Sequence, residues 1–303
     1  MTFSRTRSSE TADATDHAPS SSSRWLSGVR LSAGGWLGAL MVAVALFIAL
    51  FAPGLAPHQV GAIVSTELYG PLCAKTPLGT DYLGRDMLSR VILGTRLTVS
   101  LALASAVLSA IVGTLLGLVS AVCGPAVDEP LSRFLDAFTS IPSKMFALMF
   151  VAALGSSLTL LILTAAVSFM PGAYRIARSL AVNIGTFEYV QVARARGESV
   201  LYIACVEMLP NMIHPMLTDT GLRFTFIVLL LSSLSFLGLG VQPPYADLGS
   251  LVRENMTGLG EGTPVVIFPA IAIAMLTIGV NLFVDGLPRR GQRVGIKSRG
   301  GRA

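Results

Sequence analysis

The chain has 303 residues, of which 52% are apolar and only 13% charged, and its mean hydropathy is +0.69. That balance excludes an ordinary water-soluble domain and makes the bilayer the expected solvent. The net charge of +5 does not point to nucleic acid, because it collects in tails: Arg5, Arg7, Arg24 and Arg30 come before the first apolar run, and Arg289, Arg290, Arg293, Lys297, Arg299 and Arg302 follow the last.

Residues 1–34 are Ser-rich and of mixed charge and read as a disordered tail. Glu10, Asp13 and Asp16 within it, and the long apolar run that follows, argue against a cleaved leader, so the first span is an uncleaved anchor. Six apolar runs are long enough to cross a hydrocarbon core of about 30 Å, at roughly 35–55, 97–122, 137–155, 157–175, 217–240 and 264–285. The expected fold class is all-α, a polytopic membrane protein with six transmembrane helices. The basic tails put both termini in the cytoplasm, as an even number of spans requires. Residues 56–96 and 241–263 then face outward, 156–157 make a tight outward turn, and 123–136 and 176–216 face inward. Arg175, Arg178, Arg194 and Arg196 agree with that placement, whereas Lys75, Arg85, Arg90 and Arg96 in the first outer segment run against it. The corresponding organisation is a tail over 1–34, a first helix with an outer segment over 35–96, a core of five helices over 97–288, and a basic tail over 289–303.

Several positions carry chemistry. In the outer segment PLGTDYLGRD, Gly79 and Gly84 allow tight turns around Asp81, Arg85 and Asp86. Lys144 follows Pro142 in the third run; it either snorkels to the headgroups or lines a cavity that meets a carboxylate-bearing solute. Asp219 and Arg223 are four residues apart, close enough to pair, either as an interfacial bond to another helix or at the inner mouth of a pathway. Gly238 and Gly240 weaken the fifth span where it must end before Pro243-Pro244. Cys73, Cys123 and Cys205 lie far apart and suggest no disulfide framework. His17, His58 and His214 form no cluster at metal-ligand spacing, so no metal site is expected. No Gly-x-x-x-x-Gly-Lys-Ser/Thr loop occurs, so ATP binding by this chain is not expected, and Ser235 has no accompanying His/Asp set for hydrolysis.

Residues 188–210 interrupt the apolar runs. Glu188 to Arg196 contains no Pro or Gly and favours a helix, Gly197 permits a turn, and Ser199 to Leu209 can form a second short helix that Pro210 ends. Tyr189, Ala193 and Gly197, spaced i, i+4, i+8, would share a face of small residues open to another backbone, with Arg194 and Arg196 beside it. An amphipathic helix resting on lipid is the other reading of the pattern.

The succession Glu188-Tyr189-Val190, Ala193-Arg194-Ala195, Gly197 and Leu209-Pro210 resembles the EAA loop of ATP-binding-cassette importer permeases. PLGTDYLGRDMLSR at 77–90 with Gly94 and Arg96, SLSFLGLGVQPP at 233–244 with Gly249, and NLFVDGL at 281–287 are similar to the dipeptide, oligopeptide and nickel branch, in its order. The chain departs from that pattern at Val206 and Glu207 before Leu-Pro, at Leu231, and at Pro288-Arg289. The resemblance implies the type I importer permease fold in a bacterial inner membrane, with residues 188–210 as the coupling element. Its implied partners are a second, homologous permease chain in a heterodimer, two cytoplasmic ATPase subunits that hold ATP and Mg, and an extracytoplasmic binding protein. The implied cargo is di- or oligopeptide, with nickel or another small solute as the alternative. A self-sufficient secondary transporter would instead show inverted repeats and carboxylates at mid-span.

Overall fold

The computed structural model describes residues 32–287, and the tails, with their basic residues, lie outside the described residues. The described chain is helical, with two isolated β-bridges in the outer segment. Helix α1, Ala33–Leu55, is capped by Ser32 and matches the first expected span.

The second apolar run is the C-terminal part of a longer helix. α2 runs over Met87–Cys123, starting ten residues upstream of the expected start, because the Asp86 carboxylate caps it by accepting from Ser89 N at 3.0 Å. Gly124 ends it, and the supposed inner loop is a helix, α3, Pro125–Thr139. Asp128, Glu129, Arg133 and Asp136 make α3 amphipathic, which suits a helix lying along a membrane surface. The third expected span is therefore broken: α4 covers only Ser143–Leu154, and its axis is bent 80° from α3. Pro142 explains the break, since the residue before a proline is pushed out of the α region and the proline itself gives no N–H.

Helix α5, Leu158–Ile184, runs nine residues beyond the expected inner end. A short surface helix, α6, Glu188–Ala195, follows. The next helix, α7, Val200–Phe236, is continuous, so Pro210 does not end the unit as expected. A π turn at Ile203–Met208 absorbs the proline: Leu209 N bonds back to Ala204 O, and the wider turn moves the chain off α register where the Pro210 ring would press on the preceding turn. Past Phe236, Gly238 has φ +88°, in line with the expected end of that span. The outer return contains α8, Leu248–Glu254, and α9 covers Ile267–Gly286. Among the described residues, five helices are long and apolar enough to cross a membrane, or six if the bent α3–α4 pair is one span.

Helix α2 is central, packing against α5, α1 and α7, while α1 lies along α9. Lipid is as apolar as leucine, so association must come from close packing of backbones. The α2–α5 seam shows how: Gly113 and Gly117, one turn apart, face Ala173 and Ala177, and a Cβ at Gly117 would stand 2.7 Å from both Ala177 Cβ and Arg178 N. At the α1–α9 seam a Cβ at Gly38 would lie 2.7 Å from Gly279 O. Gly117→Leu is therefore expected to separate α2 from α5 and remove the monodisperse peak in detergent size-exclusion chromatography. An unchanged elution profile would show that the seam relaxes at little cost.

Candidate functional site

Three regions bring together the residues singled out in the sequence. The first is the surface arm at 185–208. Its outer face is Glu188, Tyr189, Gln191, Val192, Arg194 and Ala195, all exposed, whereas Val190 and Ala193 are buried. Those two pack with Ile203, Met208 and Met212 of α7 and with Leu118, Ala177, Ala181 and Ile184 from α2 and α5. The expected small-residue face is thus divided: Ala193 points into the core and Gly197 lies beyond the helix, after the Arg196 cap. The reason is amphipathicity, since α6 needs an apolar stripe to hold it and Val190 and Ala193 are its only match to the cluster beneath. Gly197 supplies the turn with φ +76° and stands in open space. Arg196 pairs with Glu198 at 3.1 Å, and the Asn211 amide donates to the Tyr189 hydroxyl at 3.2 Å. Burial and then nearby Glu207 push the Tyr189 phenol above its ordinary pKa. Leu209 and Pro210 begin the straight part of α7.

The second region is a cavity of about 300 Å³ at the α3–α4 bend, bounded by Thr139, Pro142, Phe146, Phe169, Gly172 and Arg223. Arg223 is buried, donating from Nε to Asp219 Oδ2 at 2.5 Å, from Nη2 to Asp219 Oδ1 at 3.1 Å and from Nη1 to the Phe169 carbonyl at 2.9 Å. The expected pairing of Asp219 and Arg223 is present, and the guanidinium also ties α7 to α5 beside Pro171. Lys144 is exposed in the first turn of α4 and stands one residue outside the cavity wall, next to Ser143.

The third region, the outer cap, joins the two segments that the sequence reading expects to face outward. Gly79 and Gly84 both have positive φ, and a side chain at Gly84 would collide with the Ser65 carbonyl. These turns do more than reverse the chain, because they bury Asp81 completely. Its Oδ1 accepts from Leu83 N at 2.9 Å and Arg85 N at 2.8 Å, and its Oδ2 accepts from Arg85 Nε and Arg90 Nη1, both at 2.6 Å. Arg85 and Arg90 also reach Glu254 Oε2 at 3.3 and 2.9 Å. Two arginines and two carboxylates thus lock the segment after α1 onto α8. Sequence reasoning missed Arg90 and Glu254, and the only available signal was the excess of basic residues in an outward segment. Asp86 joins the cap through His58 Nδ1 at 3.3 Å and Ser89. A cavity of about 240 Å³ lies beside this cap, with Arg90, Arg96 and Tyr245 in its wall. In the neighbouring return segment, burial pushes the Asp247 carboxyl upward.

The side chains of these three regions hold helices together, present a face, or surround a space. The family model described as binding-protein-dependent transport system inner membrane component matches residues 113–292. A probable D,D-dipeptide transport system permease protein of Escherichia coli (strain K12) is 32% identical over 249 residues, covering 82% of this chain and 84% of that protein. A di/tripeptide transport system permease protein of Pseudomonas aeruginosa (strain UCBPP-PA14) is 33% identical over 256 residues, with 82% and 84% covered. A glutathione transport system permease protein of Pectobacterium atrosepticum is 29% identical over 250 residues, with 82% and 83% covered. The family match takes in α5, the surface arm, α7 and α9 together, and on it this chain belongs to the inner membrane components of binding-protein-dependent transport systems.

Proposed function

We propose that this chain is one half of the membrane channel of an ATP-driven peptide importer, with α6 and both termini on the cytoplasmic side. The observation that carries the reading is mechanical. The surface arm packs its buried face on α2, α5 and α7, presents a charged outer face, and is joined by the short turn at Gly197 to the 37-residue helix α7. A pull on α6 is therefore passed through its packing and that turn to a helix that crosses the membrane and bears the Arg223 brace. Glu188, Tyr189, Arg194 and Ala195 form the face for an ATPase partner, Val190 and Ala193 seat the arm, and Gly197 with Leu209 and Pro210 shapes the link. ATP and Mg are held by two such partners, a second and different permease chain completes the pathway, and an extracytoplasmic binding protein delivers cargo to the outer cap. This chain itself carries out no catalysis. Small peptides are the cargo that the relatives' names support.

The test is uptake of labelled dipeptide into proteoliposomes holding this chain with its copurified partners. Uptake that requires ATP and the binding protein, and survives collapse of ion gradients, is the expected result. Uptake that ignores ATP and stops when the gradient collapses would overturn the reading. Within the same assay, Lys144→Ala is expected to change the ranking of a peptide panel while the protein level in the membrane stays constant. An unchanged ranking would assign Lys144 to the headgroups alone.

A further inference from the structure

Of the basic residues that run against the expected orientation, Arg85 and Arg90 are buried against Asp81 and Glu254. Arg96 is different: it is exposed on α2, and among the described residues none pairs with it. It stands in the wall of the cavity of about 240 Å³ beside the outer cap. The two segments that complete this wall are tied to α2. His58 N donates to Ser89 Oγ at 3.0 Å, which fixes residues 58–62. Leu248 N donates to Thr98 Oγ1 at 3.0 Å, and a Cβ at Gly94 would lie 3.4 Å from Ala246 O, so residues 244–246 are held close to the helix. The space is therefore built into the fold.

Two rulers place this cavity at the edge of the hydrocarbon. Ser120, near the far end of α2, bonds to Asp128 of the surface helix α3, and Arg96 lies 24 residues ahead of it. At 1.5 Å per residue that separation is about 36 Å, slightly more than a hydrocarbon core of about 30 Å. The second ruler is α5. Gly113 and Gly117 of α2 face Ala173 and Ala177, so the two helices run side by side in the same direction, and the first residue of α5, Leu158, falls level with Thr98. Arg96 thus stands at the headgroups of the face opposite α3, about half a turn beyond the start of α5.

We infer that this cavity binds the phosphate of a phospholipid, with Arg96 as its charged ligand. A guanidinium presents paired N–H donors in one plane, the geometry that two phosphate oxygens accept. Ser100 and Tyr245 add hydroxyls to the lining. Asp86 is the anion in that lining, but it is buried, with Oδ2 accepting from Ser89 and facing His58, so the exposed charge of the cavity is that of Arg96. A soluble anion would account for Arg96 but for neither its level nor the surface below it. Leu103, Val107, Ile111 and Leu115 follow Arg96 and Ser100 at helical spacing, all exposed, and give α2 an open apolar face through the depth of the hydrocarbon. A headgroup in the cavity would lay its acyl chains on that face and bridge α2 to both segments of the outer cap. The inference requires only that the chain spans a bilayer, and it depends neither on the transported solute nor on which face α3 occupies.

The experiment is photolabelling of the whole complex in a non-ionic detergent, titrated with phosphatidylglycerol that carries a diazirine in its acyl chain as the sole phospholipid. Mass spectrometry of the labelled peptides should show saturable labelling of α2 over 103–115. The concentration for half-maximal labelling should rise several-fold in Arg96→Ala, and also in Ser100→Trp, where an indole fills the cavity while Arg96 is kept. Arg133→Ala, which removes a side chain 83% exposed on α3, should change nothing. Equal labelling in the parent protein and Arg96→Ala would mean that the apolar face takes lipid without the cavity, and would overturn the inference. Displacement of the label by inorganic phosphate or by dialanine would give the cavity to a soluble anion and overturn it as well. Uptake in proteoliposomes is scored separately. Labelling that follows Arg96 while uptake fails would leave the lipid site standing, and ATP-driven uptake without such labelling would leave the importer reading standing.

Discussion

Asp81→Ala is expected to destabilise the purified protein by about 3–5 kcal/mol, the range for removing one partner from a buried ion pair. The side chain is fully buried and accepts four hydrogen bonds, two from backbone N–H groups and two from the guanidiniums of Arg85 and Arg90. Without it, Glu254 alone faces two nearly buried positive charges, one of them at 3.3 Å. The measurement is thermal unfolding in detergent, paired with Glu254→Ala and the double variant. Coupling between the two sites should be clear, because both carboxylates share Arg90 Nη1. A loss below about 1 kcal/mol, the scale of an exposed pair, would mean that water replaces the carboxylate and that the cap is held by its turns alone.

Gly197→Trp is expected to abolish ATP-driven uptake while the protein still inserts and copurifies with any permease partner. A Cβ at this position meets no atom, so the chain's own packing tolerates the side chain. What changes is the surface at the end of α6, where an indole would stand between the arm and whatever docks on it. The positive φ adds strain of about 1–2 kcal/mol for any L side chain, so Gly197→Ala is the control that carries the strain without the bulk. Loss with Trp and retention with Ala would assign the effect to docking. Full uptake by the Trp variant would remove α6 as the coupling element, and equal loss with Ala would assign the glycine to the turn alone.

The parts of this molecule that were legible beforehand are those governed by local sums. Apolar runs at 35–55 and 264–285 emerge as α1 and α9 nearly to the residue, because hydropathy over some twenty residues decides insertion. Asp219 and Arg223 pair as their spacing requires, since four residues is one helical turn. Boundaries set by caps were harder: the start of α2 depends on Asp86 accepting from Ser89 N, and a run of hydrophobicity does not report a cap. The third span was misread because an apolar stretch crossing Pro142 looks continuous to a hydropathy sum although its backbone is not.

Composition and order alone determined that the chain is a bundle of membrane helices interrupted by one charged arm, because solvent choice and helix propensity are properties of neighbouring residues. Tertiary structure alone decided that Ala193 turns inward, that Gly113 and Gly117 meet Ala173 and Ala177, and that Asp81 and Glu254 share Arg90 across 164 residues of chain. Those contacts join segments far apart in sequence, and their energy depends on distance and burial, which exist only once the helices have packed.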